Sequence, residues 1–247
     1  MVNIDTVYQK VLALANKEQR GYITPQEFNL FADQAQMEIF EQYFYDINQF
    51  RRVPGNDHTH SDMLTNLEEK ISLFHEYDKA VSLSNQWGNV DLKSEIPLLY
   101  RLGIVRIRYS GNQHSALAEE IKISELMTYN KSPLTKATEK RPYYFRISQS
   151  GGNSSMRIYP YPTQTVDIVK ISYIRKPTRP RWGYNVVNGK ALFNAGTGVT
   201  TNFELHNSDQ GELIHKILSY AGITIKNPDI TSAAMMLENS KVQQEKQ

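Results

Sequence analysis

Cysteine is absent from the 247 residues of this chain. Disulfide bonds, thiolate chemistry and cysteine-based zinc sites are therefore excluded. A charge imbalance is also lacking, because 28 Lys and Arg residues stand against 26 Asp and Glu residues and leave a net charge of +2. A value so close to zero does not by itself indicate a nucleic-acid-binding protein.

Long apolar runs are missing too. The longest purely apolar run is Val11–Ala15, which is far shorter than the roughly 20 residues that span a bilayer as a helix. The opening residues, MVNIDTVYQK, lack the basic and then apolar pattern of a signal peptide. We therefore expect a soluble protein that is made and used without export through a membrane.

Patterns that carry catalytic or metal chemistry are few. His58 and His60 flank Thr59 in a polar stretch near aspartates, which is a weak metal-binding pattern because no third ligand is visible. The sequence 196–198, Gly-Thr-Gly, lacks the further glycine and the lysine of a phosphate-binding loop and is typical of a hairpin tip. We predict no catalytic residue, no cofactor and no metal site.

A stretch near the N-terminus imitates a calcium loop. In Asn16–Phe28 a glycine, an isoleucine and Glu27 have the spacing of an EF-hand, but Arg20 stands where the metal needs an oxygen ligand. Apolar residues at helical spacing over 3–17 predict a helix that a glycine ends. Thr24, the proline after it and Glu27 form the start of a second helix. The pattern therefore predicts helix, turn, helix without calcium.

Periodicity along the rest of the chain predicts an α+β fold. Helical spacing predicts a long helix over 25–50, a third helix that begins at Ser61 or Asp62, and C-terminal helices over 213–221 and from 228 onward. Between these segments, short alternating runs and a hairpin at Asn188-Gly189 predict strands. We expect an N-terminal helical region (1–77), a β-rich central region with an antiparallel sheet (78–206), and a C-terminal helix and docking tail (207–247). These regions are expected to form a single compact unit in which C-terminal helices pack with N-terminal helices.

Aromatic residues are plentiful and many lie in polar stretches. The chain has 15 Tyr, 9 Phe and 2 Trp. Tyrosine presents an apolar face with a polar tip and suits protein–protein surfaces, although tyrosine-rich strands account for part of the number. The polar tail beyond Glu238 buries nothing by itself, so another subunit orders it or it frays in solvent.

The strongest charged feature is an arm over 173–182, YIRKPTRPRW. Four cations and a tryptophan lie within ten residues that two prolines stiffen. One interpretation is an electropositive arm that meets phosphates or an acidic protein surface. The other is an ordinary basic loop that leaves a strand, with Trp182 packed on the sheet. Arg101, Arg106 and Arg108 would extend a basic patch if the fold brought them near.

Three stretches carry a family resemblance. The opening VYQKVLALANKEQRGYITPQEFNLFADQAQMEIFEQYFYDINQF resembles the N-terminus of virion structural proteins of tailed bacteriophages, including crAss-like phages. The middle, RPYYFRI and then MRIYPYPTQTVDIVKISYIRKPTRPRW, resembles neck proteins of short-tailed phages, in which one strand ends in Ile-Tyr-Pro and the next in Tyr, an apolar residue, a basic residue and Pro. The helix start and helix at Leu205–Gly222 are similar as well.

The resemblance implies a head-to-tail adaptor, also called a connector or tail tubular protein A-like subunit. Such proteins form closed rings, typically of twelve copies, beneath the portal protein, and genomic DNA passes through the lumen. The implied partners are sibling subunits, the portal and adjacent neck or tail proteins, with no membrane. The implied location is the head–tail interface of the virion, after synthesis in the host cytoplasm.

We therefore expect a non-enzymatic structural protein of a phage neck. The residues predicted to form interfaces are those of the basic arm and the C-terminal tail: Arg175, Lys176, Arg179, Arg181, Trp182, Ile230, Met236 and Leu237. The alternatives are another minor virion or tail-adaptor protein, a glycan-binding module in the aromatic β region, and a metal-dependent enzyme that uses His58 and His60.

Overall fold

Along the chain, helices come first and last, and a segment rich in strands lies between them. A computed structural model describes residues 1–19, 23–52, 58–83, 87–110, 114–149, 153–162, 167–224, 235–236 and 240. The α-helices within these ranges are α1 (Ile4–Gln19), α2 (Pro25–Arg52), α3 (His58–Ser72), α4 (Leu92–Glu95), α5 (Leu126–Lys131) and α6 (Gln210–Thr224). None of the described helices combines the length and the apolar character that a membrane span requires.

The strands are short and most of them join one sheet. They are β1 (His75–Val81), β2 (Asn89–Asp91), β3 (Leu99–Arg108), β4 (Ala116–Glu120), β5 (Tyr143–Gln149), β6 (Asn153–Tyr159), β7 (Ile168–Arg175), β8 (Tyr184–Val187) and β9 (Lys190–Phe193). The first seven form a sheet in the order β1-β7-β3-β4-β5-β6-β2, and the last two form a separate hairpin.

The chain divides into two units. The helical unit consists of Met1–Leu73 and Pro177–Gln247, and the sheet unit of Phe74–Lys176. This division differs from the single compact unit and from the boundaries at 77/78 and 206/207 that we expected. Residues 177–206 belong with the helices, because their backbone and side-chain hydrogen bonds join α2 and the first residues of the chain. Sequence spacing does not reveal such distant partners.

In the helical unit, α2 begins as its sequence predicts. The Thr24 backbone N–H donates to Glu27 Oε2 (2.9 Å), and the Glu27 N–H donates back to Thr24 Oγ1 (3.3 Å). This reciprocal pair satisfies two N–H groups that the first turn leaves without helical partners. The capping prediction is confirmed, so Glu27 has a structural role. Arg20 and Gly21, on which the calcium-loop comparison also depended, lie outside the described residues.

The core of the helical unit lies between helices from the two ends of the chain. The helix α6 packs on α1 and α2, as the fold class predicted. Apolar residues on each of these helices are fully buried: Val7, Val11, Phe28, Phe40, Leu213 and Ile217. Val7 and Val11 on α1, and Leu213 and Ile217 on α6, are four residues apart and therefore share one face of their helix. The third helix begins at His58, earlier than the predicted Ser61 or Asp62.

The sheet unit is antiparallel except at one place. β4 pairs with β3 in antiparallel register, with Val105 opposite Ala118, and with β5 in parallel register, with Glu119 opposite Tyr143. The main core takes side chains from β2, α4 and the five strands from β3 to β7, with Val105, Ile107 and Met156 nearly inaccessible. The α+β class is therefore confirmed, and the sheet is mixed rather than wholly antiparallel.

Candidate interaction surfaces

The segment Pro177–Trp182 is the second part of the basic arm predicted over 173–182, and it lies along α2 in the helical unit. In the description that follows, the arm means this segment. Pro177, Pro180 and Trp182 are buried, whereas Arg179 and Arg181 are exposed. The arm also pairs with a later segment, because Arg181 exchanges backbone hydrogen bonds with Thr201 at 3.0 and 2.8 Å. One side of the arm is therefore part of the fold, and its two arginines point outward.

Two amide side chains of α2 hold the arm in place. Asn29 accepts from the Trp182 backbone N–H (2.7 Å) and donates to its carbonyl (3.2 Å). Gln36 donates to the Thr178 carbonyl (2.8 Å) and accepts from the Glu204 N–H (3.0 Å). Seven residues are about two turns, so both amides lie on one face of the helix. They satisfy backbone groups that a non-helical segment would otherwise bury without partners.

Trp182 is the anchor of this region and not an exposed interface residue. It is 2% exposed, and its indole Nε1–H donates to Asp5 Oδ1 at 2.9 Å. Its ring centroid lies 4.4 Å from that of Tyr8. The interface assignment of Trp182 is therefore corrected: the side chain is packed into the fold, as the second interpretation of the arm anticipated, and its partners include Tyr8 and Asp5 of α1.

The four cations of the predicted arm belong to different units. Arg175 and Lys176 end the sheet unit, and Arg175 lies over the Phe74 ring and pairs with Glu76 at 3.4 Å. Arg179 pairs with Asp33 at 3.5 Å in the helical unit. Since exposed ion pairs contribute little to stability, roughly 0–1 kcal/mol each, Arg179 is not needed for folding and remains accessible.

The proposed extension of the basic patch is partly neutralised. Arg106 and Lys170 face each other across β3 and β7 and both pair with Asp78, at 3.5 and 3.8 Å. Arg106 also donates to the Tyr77 hydroxyl. Arg101 and Arg108 are exposed on the same strand. The cations of β3 therefore form, in part, an internal charge network of the sheet unit.

Of the residues predicted in the tail, the structure describes one. Met236 is exposed and lies in a helical pair of residues, whereas Ile230 and Leu237 lie outside the described residues. The side chains of His58 and His60, which begin α3, also lie outside the description. Within the described ranges, no three His, Asp or Glu side chains are grouped so that they would hold a metal ion.

The hairpin β8–β9 is a candidate interaction surface that the predicted site residues did not include. Its turn residues Asn188 and Gly189 have φ angles of 50° and 75°, which suit a two-residue turn of type I′. At its base Tyr184 lies opposite Phe193, and both rings stack on Trp182 with centroids 5.8 and 5.7 Å away. The base is therefore fixed to the helical unit through Trp182.

Beyond that base the hairpin exposes aliphatic side chains on both faces. Val186 is 67% exposed and Leu192 is 53% exposed. Val186 lies opposite Ala191, and Leu192 lies opposite Asn185. Because side chains alternate along a strand, Val186 and Leu192 project from opposite faces. A two-stranded hairpin has marginal stability alone in water, and its exposed aliphatic side chains make each face a candidate contact site.

A row of aromatic rings crosses the sheet unit. Ring centroids are 5.6 Å apart between Tyr143 and Tyr159, 4.6 Å between Tyr159 and Tyr161, and 5.9 Å between Tyr161 and Trp87. Burial and the neighbouring Tyr159 hydroxyl raise the pKa of Tyr161 to about 12. Trp87 is 61% exposed at one end of the row. The row continues at its other end to Tyr129, 6.0 Å from Tyr143.

The chain was compared with protein-family models and with curated proteins. No family model matches the chain. No curated protein matches it either.

Proposed function

We propose that this chain is a structural subunit that assembles into a ring at the neck of a tailed-phage virion, between portal and tail, with genomic DNA passing through the lumen. The proposed location in the virion rests on the sequence resemblance to phage neck proteins. The observation that supports assembly is the exposure of Val186, Val187 and Leu192 on the hairpin β8–β9. The base of this hairpin is fixed, because its aromatic rings stack on Trp182. We propose no catalytic role.

The hairpin suits a repeated contact between different surfaces of neighbouring copies. A projecting element on one copy and a receiving surface on the next form a heterologous contact, which generates a ring when the rotation closes. Such permanent interfaces commonly bury more than about 2,000 Å² and are apolar. The exposed aliphatic residues of the hairpin are candidates for the centre of such an interface, and the exposed Arg179 and Arg181 for its polar rim.

The test is assembly of the purified chain, followed by light scattering after size exclusion and by negative-stain microscopy. We expect rings with a central hole for the wild type, and monomers for the combined variant Val186→Ser, Val187→Ser and Leu192→Ser. Leu30→Ser is the matched control, since Leu30 is 71% exposed and belongs to α2 and not to the hairpin. A wild type that is monomeric at every concentration would refute the proposal.

A second candidate, a glycan-binding module, is favoured by Trp87 and Tyr161. Both rings are at least partly exposed and adjacent, and aromatic faces in contact with solvent can pack on the apolar faces of sugars. A glycan array separates the two candidates. Binding that disappears in Trp87→Ala would support the glycan module, and a blank array would remove it.

A further inference from the structure

The sheet unit contains an open groove of about 450 Å³ beside the parallel pair β4–β5. The residues after α5 form one wall, and residues of β4 and the start of β5 form the other. All of its lining residues lie between 117 and 143, so one continuous segment of the chain builds it. Neither the basic arm nor the hairpin contributes to this groove.

The groove is electropositive. Lys136, Lys140 and Arg141 line it, and Glu119 is the carboxylate among the lining residues. All three cations are exposed, and their side chains make no ion pair or hydrogen bond within the part of the chain that the structure describes. Other cations of the sheet unit, such as Arg106 and Arg146, have acidic partners. The groove therefore carries positive charge that the described fold leaves available for a ligand.

The same groove also has apolar walls. Leu134 is 88% exposed and Leu117 is 64% exposed, although both line a concave surface. Tyr129 is partly exposed and supplies a further apolar surface. Tyr143 lies beside it but is only 3% exposed, and its hydroxyl donates to Asn130 Oδ1 at 2.8 Å. The ring that the groove offers to a ligand is therefore that of Tyr129.

We propose that this groove binds an extended peptide segment of a partner protein in which acidic and apolar side chains alternate. Carboxylates of that segment pair with Lys136, Lys140 and Arg141, and its apolar side chains pack on Leu117 and Leu134. Complementary charge selects such a partner and speeds its association. A nucleic-acid strand would use the cations and stack on Tyr129, but it would leave the two leucines without an apolar contact. This proposal does not depend on the assignment to a phage neck.

The test uses a short fluorescein-labelled peptide in which glutamates alternate with leucines and phenylalanines. Fluorescence anisotropy with the full-length chain is expected to show saturable binding. The same peptide with lysines in place of glutamates, or with serines in place of its apolar residues, is expected to bind at least about tenfold more weakly. Labelled single-stranded oligothymidine is the probe for nucleic acid and is expected to bind more weakly than the acidic peptide.

Variants of the chain locate the site. The combined variant Lys136→Glu, Lys140→Glu and Arg141→Glu is expected to weaken binding of the acidic peptide by about tenfold or more, and Leu134→Ser by a few fold. The matched control is Lys93→Glu, Arg108→Glu and Lys122→Glu, which changes three exposed cations outside the groove. Circular dichroism confirms that each variant is folded.

Three results would overturn the proposal: absence of saturable peptide binding, equal loss in the groove variant and in its control, or tighter binding of oligothymidine with the same dependence on the groove cations. The last result would assign the groove to nucleic acid. Failure of the chain to form rings would leave these measurements unaffected.

Discussion

The two units satisfy their buried polar groups in different ways. In the helical unit carboxylates accept hydrogen bonds from aromatic donors: Tyr43 donates to Asp209, and Trp182 donates to Asp5. In the sheet unit the buried polar groups among the described residues are neutral. Tyr109, for example, donates to the Pro160 carbonyl at 2.9 Å. In the helical unit the buried Asp209 must therefore stay ionised, whereas in the sheet unit the buried Tyr109 must stay neutral.

This difference follows from where each group is attached. A residue at a helix start, such as Asp209 just before α6, lies near the partly positive end of the helix, which favours an anion. Tyr109 directly follows β3, belongs to the buried core of the sheet unit, and places its hydroxyl on a backbone carbonyl. The two units should consequently respond to opposite changes of pH.

The largest expected effect distinguishes the two tryptophans. We expect Trp182→Ala to lower the free energy of unfolding by about 3–5 kcal/mol, because it empties a buried site and removes the hydrogen bond to Asp5. Trp87→Ala, at an exposed ring, should change it by less than about 0.5 kcal/mol. Urea denaturation measures both. Equal losses would show that Trp87 is also part of a core.

The second largest effect that we expect is a loss of stability of the helical unit at acidic pH. Burial alone would raise the pKa of Asp209, but hydrogen bonds from Lys70 and Tyr43 outweigh it and hold the pKa below its ordinary value. A depressed pKa in the folded state contributes stability above the unfolded-state pKa, and this stability is lost as the pH falls through the folded-state value. We expect Asp209→Asn to cost about 3 kcal/mol at neutral pH, since Lys70 loses its partner.

The measurement for Asp209 is urea unfolding from pH 7 down to pH 3. The wild type should lose stability over the acidic part of this range, and the Asp209→Asn variant should lose less. Glu41→Gln, at an exposed position of α2, is the control and should follow the wild type. Parallel curves for wild type and Asp209→Asn would contradict the role of Asp209.

The smallest effect that we expect is a loss of stability of the sheet unit at alkaline pH. Burial and the nearby Glu120 carboxylate raise the pKa of Tyr144 to about 12. Because the folded state favours the neutral phenol, its contribution is complete below the unfolded-state pKa near 10 and is lost as the pH rises toward 12. We expect Tyr144→Phe to cost about 1 kcal/mol near pH 8, through the lost hydrogen bond to Glu120.

Between pH 8 and pH 12 the Tyr144→Phe variant should lose less stability than the wild type. Urea midpoints at intervals across this range provide the measurement. Tyr45→Phe, which changes an exposed tyrosine of α2, should follow the wild type throughout. If the Tyr144→Phe variant also followed the wild type, ionisation of Tyr144 would not contribute to the loss of stability at alkaline pH.

Local rules predicted part of the fold well. The capping pair Thr24 and Glu27, the long helix α2 and the turn at Asn188-Gly189 follow from contacts within a few residues, and the structure confirms each of them. Strands β1 and β2 were not predicted. β1 is an edge strand with a bulge between Glu76 and Lys79, which breaks the alternation of buried residues, and β2 has only three residues.

The predicted interface residues were less successful where distant contacts decide exposure. Trp182 lies among polar residues in the sequence, but Asn29 and Asp5 bind its polar groups from more than 150 positions away. The hairpin was predicted as a structural element, whereas the exposure of both its faces was not. Strand alternation states which residues share a face, but it does not state whether either face is covered.

The sequence by itself determined the α+β class, the positions of the main helices and the exclusion of disulfide and cysteine–zinc chemistry, because composition and short-range spacing suffice for these. Only the tertiary structure decided that residues 177–206 belong with the helices, that Trp182 is buried, and that three cations and two leucines line one groove. These properties depend on which segments meet in space, and burial and charge pairing are set there and not by neighbours along the chain.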